Sequence, residues 1–208
     1  DAVAMDGSGK ISDGARTYWS SEADGSAVKK GGVGGVLANR DPDTRKIWIN
    51  TGTAGAGENF QASNVTATKF GLVDEAALLG KFDVGSRTEL DGLLDWARGW
   101  EDSSKSSKRE WILGDMLHSR PLVLNYGARG SHTKTDPDIR IVVGTNAGFL
   151  HMFDNADGKE NWAFFPKELA SVLKKRRDNV KGADVVWGVD GSAVFYSKDL
   201  NNDGTIDS

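Results

Sequence analysis

The chain has 208 residues, 26 of them Gly and 4 Pro, contains no Cys, and carries a formal net charge of −4 from 26 basic and 30 acidic side chains. This balance excludes a global field drawing the chain to nucleic acid or an anionic membrane. The absence of Cys excludes disulfides, thiol nucleophiles and thiolate metal sites, and no apolar run approaches the roughly 20 residues of a membrane span.

The length suits one substantial core or a piece of a larger repetitive domain. Glycine-rich punctuation between short runs of Val, Ile, Trp, Phe and Tyr predicts an all-β core of short strands and tight turns. No secretory signal is recognisable, so a chain beginning at Asp1 is expected to be mature or excised. Residues 1–30 are rich in Gly, Ser, Asp and Ala and read as a peripheral amino end. Asp6, Ser8 and Ser12 only imitate a cation loop, because Lys10 stands where a ligand belongs, and a turn is expected. Residues 31–40 and 45–50 read as two strands of a hairpin joined by the turn 41–44. The Gly-rich tract 52–57 lacks the Lys-Ser/Thr ending of a phosphate loop and reads as flexible. Across 66–100 the period becomes helical: Leu90, Leu93, Leu94 and Ala97 fall on one face, after a capping box read at Thr88-Glu89-Leu90-Asp91. Residues 102–109 form a polar loop whose charges are expected to be solvated.

An internal repeat carries more weight than any single motif. Residues 141–150 align with 185–194, placing Gly144 and Gly188 44 positions apart. A period near 40 to 45 residues with strand, Gly turn, strand and Asp-rich turn is that of a four-stranded propeller blade. Residues 46–51 echo 140–145 more weakly. In the first copy the second strand ends in the tight turn 154–158, followed by a third strand at 161–165; in the second copy the longer loop 199–207 takes that turn's place. Between the copies Pro166 and Lys167 open a short helix with Leu169, Val172 and Leu173 on one face, and Lys174-Lys175-Arg176-Arg177 as its solvated basic end. His151 alternates with Phe149 and Phe153 and reads as a packed residue rather than a ligand. Asp115, His118 and Ser119 suggest a triad only by adjacency, which is not triad geometry.

The chain closes on Asp199-Leu200-Asn201-Asn202-Asp203-Gly204-Thr205-Ile206-Asp207-Ser208. Calcium gathers about 6 to 8 oxygens, and an EF-hand-type loop supplies them from alternate positions around a turn-forming glycine at position 6. Here the side chains of Asp199, Asn201 and Asp203, the carbonyl of Thr205, and Asp207 occupy those positions, with Gly204 at the sixth. The competing reading is a polar Asx-rich turn. The approach at 193–197 is β-rich, so this is an EF-hand loop without EF-hand helices.

Several stretches together, Ile112 to Val123, Val143 to Asp154, Glu160 to Pro166 and the terminal loop, resemble the carboxy-terminal β-propeller domain of the PilY family of type IV pilus biogenesis proteins, the pilus-tip adhesins. The resemblance covers 31–208; the Gly148-to-Asp154 turn alone also resembles blades of quinoprotein dehydrogenases. It implies a modified, quinoprotein-like propeller, here a partial fragment with a helical insertion at about 66–100, whose bound Ca2+ regulates pilus extension and retraction, hence twitching motility and attachment. It implies calcium ligands at Asp199, Asn201, Asp203, Thr205 and Asp207, a place at the pilus tip or cell surface, outer membrane-associated or secreted, and partners among minor pilins and host or abiotic surfaces. An integrin-type Arg-Gly-Asp is absent, the nearest tripeptide being Arg129-Gly130-Ser131. A non-enzymatic module is expected; the alternatives are a quinone-cofactor dehydrogenase on similar blades and a scaffold with purely structural calcium.

Overall fold

The computed structural model describes residues 4–25, 27–51 and 57–207. The predicted flexible tract at 52–57 therefore lies, Gly57 apart, outside the described residues. The fold is built on a six-stranded open sheet in the order β2-β1-β6-β5-β4-β3. β3 (Leu122–Asn125), β4 (Ile139–Gly144), β5 (Leu150–Asp154) and β6 (Glu160–Phe165) follow one another as an antiparallel meander. β1 (Ile47–Ile49) lies parallel to β6, and β2 (Glu58–Asn59) pairs antiparallel with β1. Around this sheet pack α1 (Gly32–Asn39), α2 (Ala67–Phe70), α3 (Glu75–Phe82), α4 (Arg87–Arg98) and α5 (Ala170–Asp178). The helices carry much of the core, which an all-β reading understates.

Strand alternation assigns the two faces. Ile47 and Ile49 of β1 and Ala163 and Phe165 of β6 point to one side and are buried. There they meet Phe60 and Phe149, the Leu78 and Phe82 of α3, the Leu90, Leu93, Leu94 and Ala97 of α4, and the Ala170 and Leu173 of α5. Phe60, Phe149 and Phe165 form the aromatic centre, with ring centroids 5.1 to 6.0 Å apart. The opposite face is thinner: Leu124, Val142 and Met152, with Trp162 and Ala193 against them.

The helical stretch expected across 66–100 is present as α2, α3 and α4, and the four apolar residues read from its period are all buried. Its cap lies two residues earlier than predicted. Ser86 Oγ accepts from Glu89 N at 3.2 Å, and Glu89 Oε2 reaches back to Gly85 N at 2.9 Å. Ser86-Arg87-Thr88-Glu89 supplies a true Glu at the third helical position, which Thr88-to-Asp91 lacks.

The hairpin expected at 31–50 does not form, because 32–39 is the helix α1. Its glycines serve close packing rather than turns: a Cβ on Gly34 would fall 2.2 Å from Trp111 Cη2, and one on Gly35 2.3 Å from Lys30 O. The turn at 41–44 does form, with Asp41 Oδ1 accepting from Asp43 N at 3.0 Å. In the 102–109 loop the three cations are engaged rather than solvated, Lys108 Nζ donating to Asn39 O at 3.0 Å. Lys105 Nζ lies 3.2 Å from Asp43 and 3.3 Å from Asp95, while Arg109 stacks 3.8 Å from the Trp96 ring centroid, and burial pulls its guanidinium down to about 10.

The first repeat copy is strand as predicted, and the tight turn 154–158 closes with Gly158 N donating to Asp154 O at 2.9 Å. The second copy forms neither helix nor strand among the described residues. It lies across the first copy's turn instead: Val189 N donates to Thr145 O at 3.0 Å and Gly188 N to Asn146 Oδ1 at 3.3 Å. A strand needs a neighbour to satisfy its backbone, and here the segment's hydrogen bonds go to a turn. The amino end is loop-rich as expected, and Asp6 forms the predicted turn by accepting from Ser8 N and Lys10 N. It is nevertheless anchored, since Trp19 Nε1 donates to Asn155 O at 2.8 Å and its ring covers Gly158.

Candidate metal centre

Residues 199–207 wind into a closed, solvent-facing loop whose ends meet through Asp207 N donating to Lys198 O at 2.9 Å. Two left-handed residues make the winding possible, Asn202 at φ 61° and Gly204 at φ 85°, residue types that tolerate this region. The acidic side chains turn inward onto the loop's own backbone. Asp199 accepts from Asp203 N at 3.2 Å and from Gly204 N at 2.8 Å. Asp203 accepts from Thr205 N at 2.8 Å, and Asp207 from Leu200 N at 2.7 Å. Asn201 joins them, its Oδ1 accepting from Asp203 N at 3.1 Å and its Nδ2 donating to Asp203 Oδ2 at 3.0 Å. The Thr205 N–H and hydroxyl hold the Asp203 carboxyl below the usual carboxylate range.

All five residues predicted from the spacing thus share one loop. Three carboxylates, an amide and a backbone carbonyl are the hard-oxygen set that calcium takes, and each carboxylate keeps lone pairs beyond those used by the N–H groups. The donor chemistry therefore fits the ion. The carboxylates are not drawn together into a cage: among the described residues no group of three or more His, Asp or Glu side chains is arranged to hold a metal.

The other candidates resolve differently. Asp115, His118 and Ser119 point to separate partners. His118 Nδ1 lies 2.8 Å from Asp190 Oδ2, Ser119 Oγ donates to the carbonyls of Val189 and Gly191, and Asp115 accepts from Asn146. The basic end of α5 is tied down rather than solvated: Lys174 pairs with Asp178, Arg177 lies 3.1 Å from Glu89, and Arg176 donates to Val186 O at 2.6 Å.

His151 is packed as expected, stacked on Phe153 with centroids 5.5 Å apart, yet it belongs to a buried charge cluster that sequence reading misses. Arg45 grips Glu160 with two bonds of 2.9 Å, Nε to Oε2 and the second guanidinium nitrogen to Oε1, and both side chains are sealed from solvent. His151 Nδ1 donates to the same Oε1 at 2.8 Å. The remaining guanidinium nitrogen of Arg45 donates to Arg98 O at 2.6 Å, capping the carboxyl end of α4. Burial pushes the Glu160 carboxyl up, but Arg45 and His151 outweigh it and hold the group far below the usual range; burial pushes His151 down, keeping it neutral. Strand parity with Ala163 and Phe165 would turn Glu160 outward. A bulge between β5 and β6 shifts the register so that Phe153 faces Glu160, bringing the carboxylate to the core side. Nothing short of that bulge could have signalled the cluster.

Meander, packed helices and Asx-rich loop together define a sheet-centred module that carries an EF-hand-spaced loop on a frame without EF-hand helices. No family model matches the chain, and no solved structure matches it significantly. The chain is homologous to part of the type IV pilus biogenesis factor PilY1 of Pseudomonas aeruginosa. It is 32% identical over 165 residues to the protein of strain UCBPP-PA14, covering 69% of this chain, and 28% identical over 197 residues to that of strain PAK, covering 85%. The chain spans only 14% and 16% of the length of these two relatives.

Proposed function

We propose that this chain is a calcium-responsive, non-enzymatic module of a type IV pilus biogenesis protein, forming part of a modified β-propeller at the cell surface or pilus tip. The reading is carried by the similarity to proteins named type IV pilus biogenesis factor PilY1. The meander β3 to β6 supports the propeller part, since four consecutive antiparallel strands are what one blade requires. The calcium part rests on the spacing of the donors in 199–207.

Asp199, Asn201 and Asp203 through their side chains, Thr205 through its carbonyl, and Asp207 would hold the ion. Bound Ca2+ supplies the positive charge that offsets the repulsion of three carboxylates within nine residues. The chain's own contribution is a loop already wound by its left-handed residues Asn202 and Gly204, although its carboxylates would have to turn from backbone N–H groups toward the ion. Minor pilins, and host or abiotic surfaces, are the partners this role implies. The test is Asp207→Ala, scored for calcium affinity by titration and for pilus retraction by twitching motility. Unchanged affinity and unchanged retraction would sink the switch. Lowered thermal stability with intact motility would favour a purely structural ion instead, and a bound quinone chromophore in the purified protein would favour a dehydrogenase.

A further inference from the structure

A cleft of about 610 Å³ opens between the amino-terminal loop, α1 and residues 108–110. The α1 wall is low, because Gly35 and Ala38 present no more than a methyl group to it. Four cations line the cleft, Lys29, Lys30, Lys108 and Arg109, against the carboxylates of Glu22, Asp24 and Glu110. Two of those carboxylates are already engaged. Asp24 is buried and accepts from Thr17 N at 2.8 Å and from the Thr17 and Ser20 hydroxyls, while Glu110 pairs with Lys29.

Arg109 differs from the other three cations in being partly buried. The Trp96 ring lies under the flat face of its guanidinium, and Nη1 donates to Trp96 O at 3.2 Å. Among the described residues its Nε and Nη2 make no hydrogen bond, and no carboxylate stands within ion-pair distance of it. Burial therefore weighs against its charge, with Glu101 favouring that charge only from farther off. An edge of two guanidinium nitrogens is the group that meets an oxyanion through two parallel bonds. Further donors stand nearby: Lys30 Nζ makes no hydrogen bond among the described residues, and Lys108 Nζ reaches only Asn39 O, at 3.0 Å.

We propose that this cleft is an oxyanion site for a small phosphorylated ligand, anchored on the free edge of Arg109 and held at its rim by Lys30 and Lys108. Phosphate has charge and oxygens enough to engage all three cations, whereas the two oxygens of a carboxylate are used up by the guanidinium alone. The bound anion offsets the desolvation that Arg109 otherwise bears uncompensated. The volume lies within the roughly 300–1,000 Å³ of small-ligand sites. The cleft shares no residue with 199–207, so this inference is independent of the calcium reading.

Titration of the full chain with inorganic phosphate at low salt tests it, followed by calorimetry and by nitrogen-15 NMR of the arginine side chains. The Arg109 Nε–H resonance should shift saturably. Arg109→Lys keeps the charge but loses the two-nitrogen edge, and should weaken phosphate binding by about tenfold, as loss of one charge-assisted hydrogen bond requires. Lys30→Gln, at an exposed position, should weaken it by about threefold. Acetate at matched ionic strength should bind more weakly than phosphate. Failure to saturate at millimolar phosphate, an unmoved Arg109 resonance, or wild-type affinity in both variants would overturn the proposal, and acetate binding as tightly as phosphate would overturn the choice of ligand. If Arg109→Lys unfolds for want of its contact with Trp96, the wild-type resonance and Lys30→Gln still decide the matter.

Discussion

Replacing Arg45 by Met tests the buried charge cluster most directly. The substitution keeps an apolar stem of similar length but leaves Glu160, with no exposed side-chain surface, facing only the His151 N–H. It also strips the cap from Arg98 O. Breaking one partner of a buried ion pair costs about 3–5 kcal/mol, a fifth or more of the roughly 5–15 kcal/mol that holds a domain folded. Urea unfolding followed by tryptophan fluorescence at pH 8 would read the loss. The double variant Arg45→Met/Glu160→Met should be less destabilised than the single one, since no buried charge is then stranded, giving a coupling of about 2 kcal/mol or more. With the guanidinium gone, His151 can take a proton to neutralise Glu160. Its folded pKa would then rise above the unfolded value, adding stability at low pH that is lost as pH rises, so the single variant should suffer less at pH 5.5 than at pH 8. A cost below about 1 kcal/mol, or strict additivity in the double variant, would refute the argument.

Wild type should show the opposite pH trend. His151 is held neutral in the fold while the unfolded chain protonates near 6.5, so stability should be full above that pH and fall by up to about 2 kcal/mol by pH 5; thermal midpoints across pH 5 to 8 would record it, and a flat profile for His151→Asn would assign it. Gly34→Ala should cost about 1–2 kcal/mol despite its gain in helix propensity, because the new methyl meets the Trp111 ring. Gly92→Ala, in α4 with nothing within 4 Å of the added atom, should instead stabilise by about 0.5–1 kcal/mol. Ser86→Ala removes the cap over Glu89 N and should cost about 1 kcal/mol in the same denaturation assay.

What the sequence discloses depends on whether the deciding contacts are local. Leu90, Leu93, Leu94 and Ala97 announce α4 because an amphipathic period is a property of one segment. The strands around Gly144 and the turn at Gly158 are legible for the same reason. The glycines of α1 are not, since the cause of Gly34 is a Trp 77 positions away, and read in isolation such a run looks like turns. The second repeat copy shows the same limit: its pattern is that of a strand, but pairing is a property of two segments, and Val189 finds a turn carbonyl in place of a partner strand. The acidic and amide residues of 199–207 are visible in the sequence, whereas the close approach of Gly127 to Gly204 O is not, because only the fold brings the β3–β4 connection beneath that loop. Glu160 was hidden most deeply, since a single bulge reverses the side to which its parity assigns it.

The parallel pairing of β1 with β6 has a consequence for synthesis. β1 leaves the ribosome long before the strand it joins, since Arg45, at its entry, and Glu160, at the start of β6, are separated by 115 positions. At about 5–20 residues per second, β1 and its guanidinium wait roughly 6–23 s for their partners. During that interval β2 can cover one edge of β1, but the other edge, which β6 later takes, is open to pairing with another nascent chain. Completion of the sheet is therefore a late event, gated by the arrival of Glu160 rather than by formation of the helices that precede it.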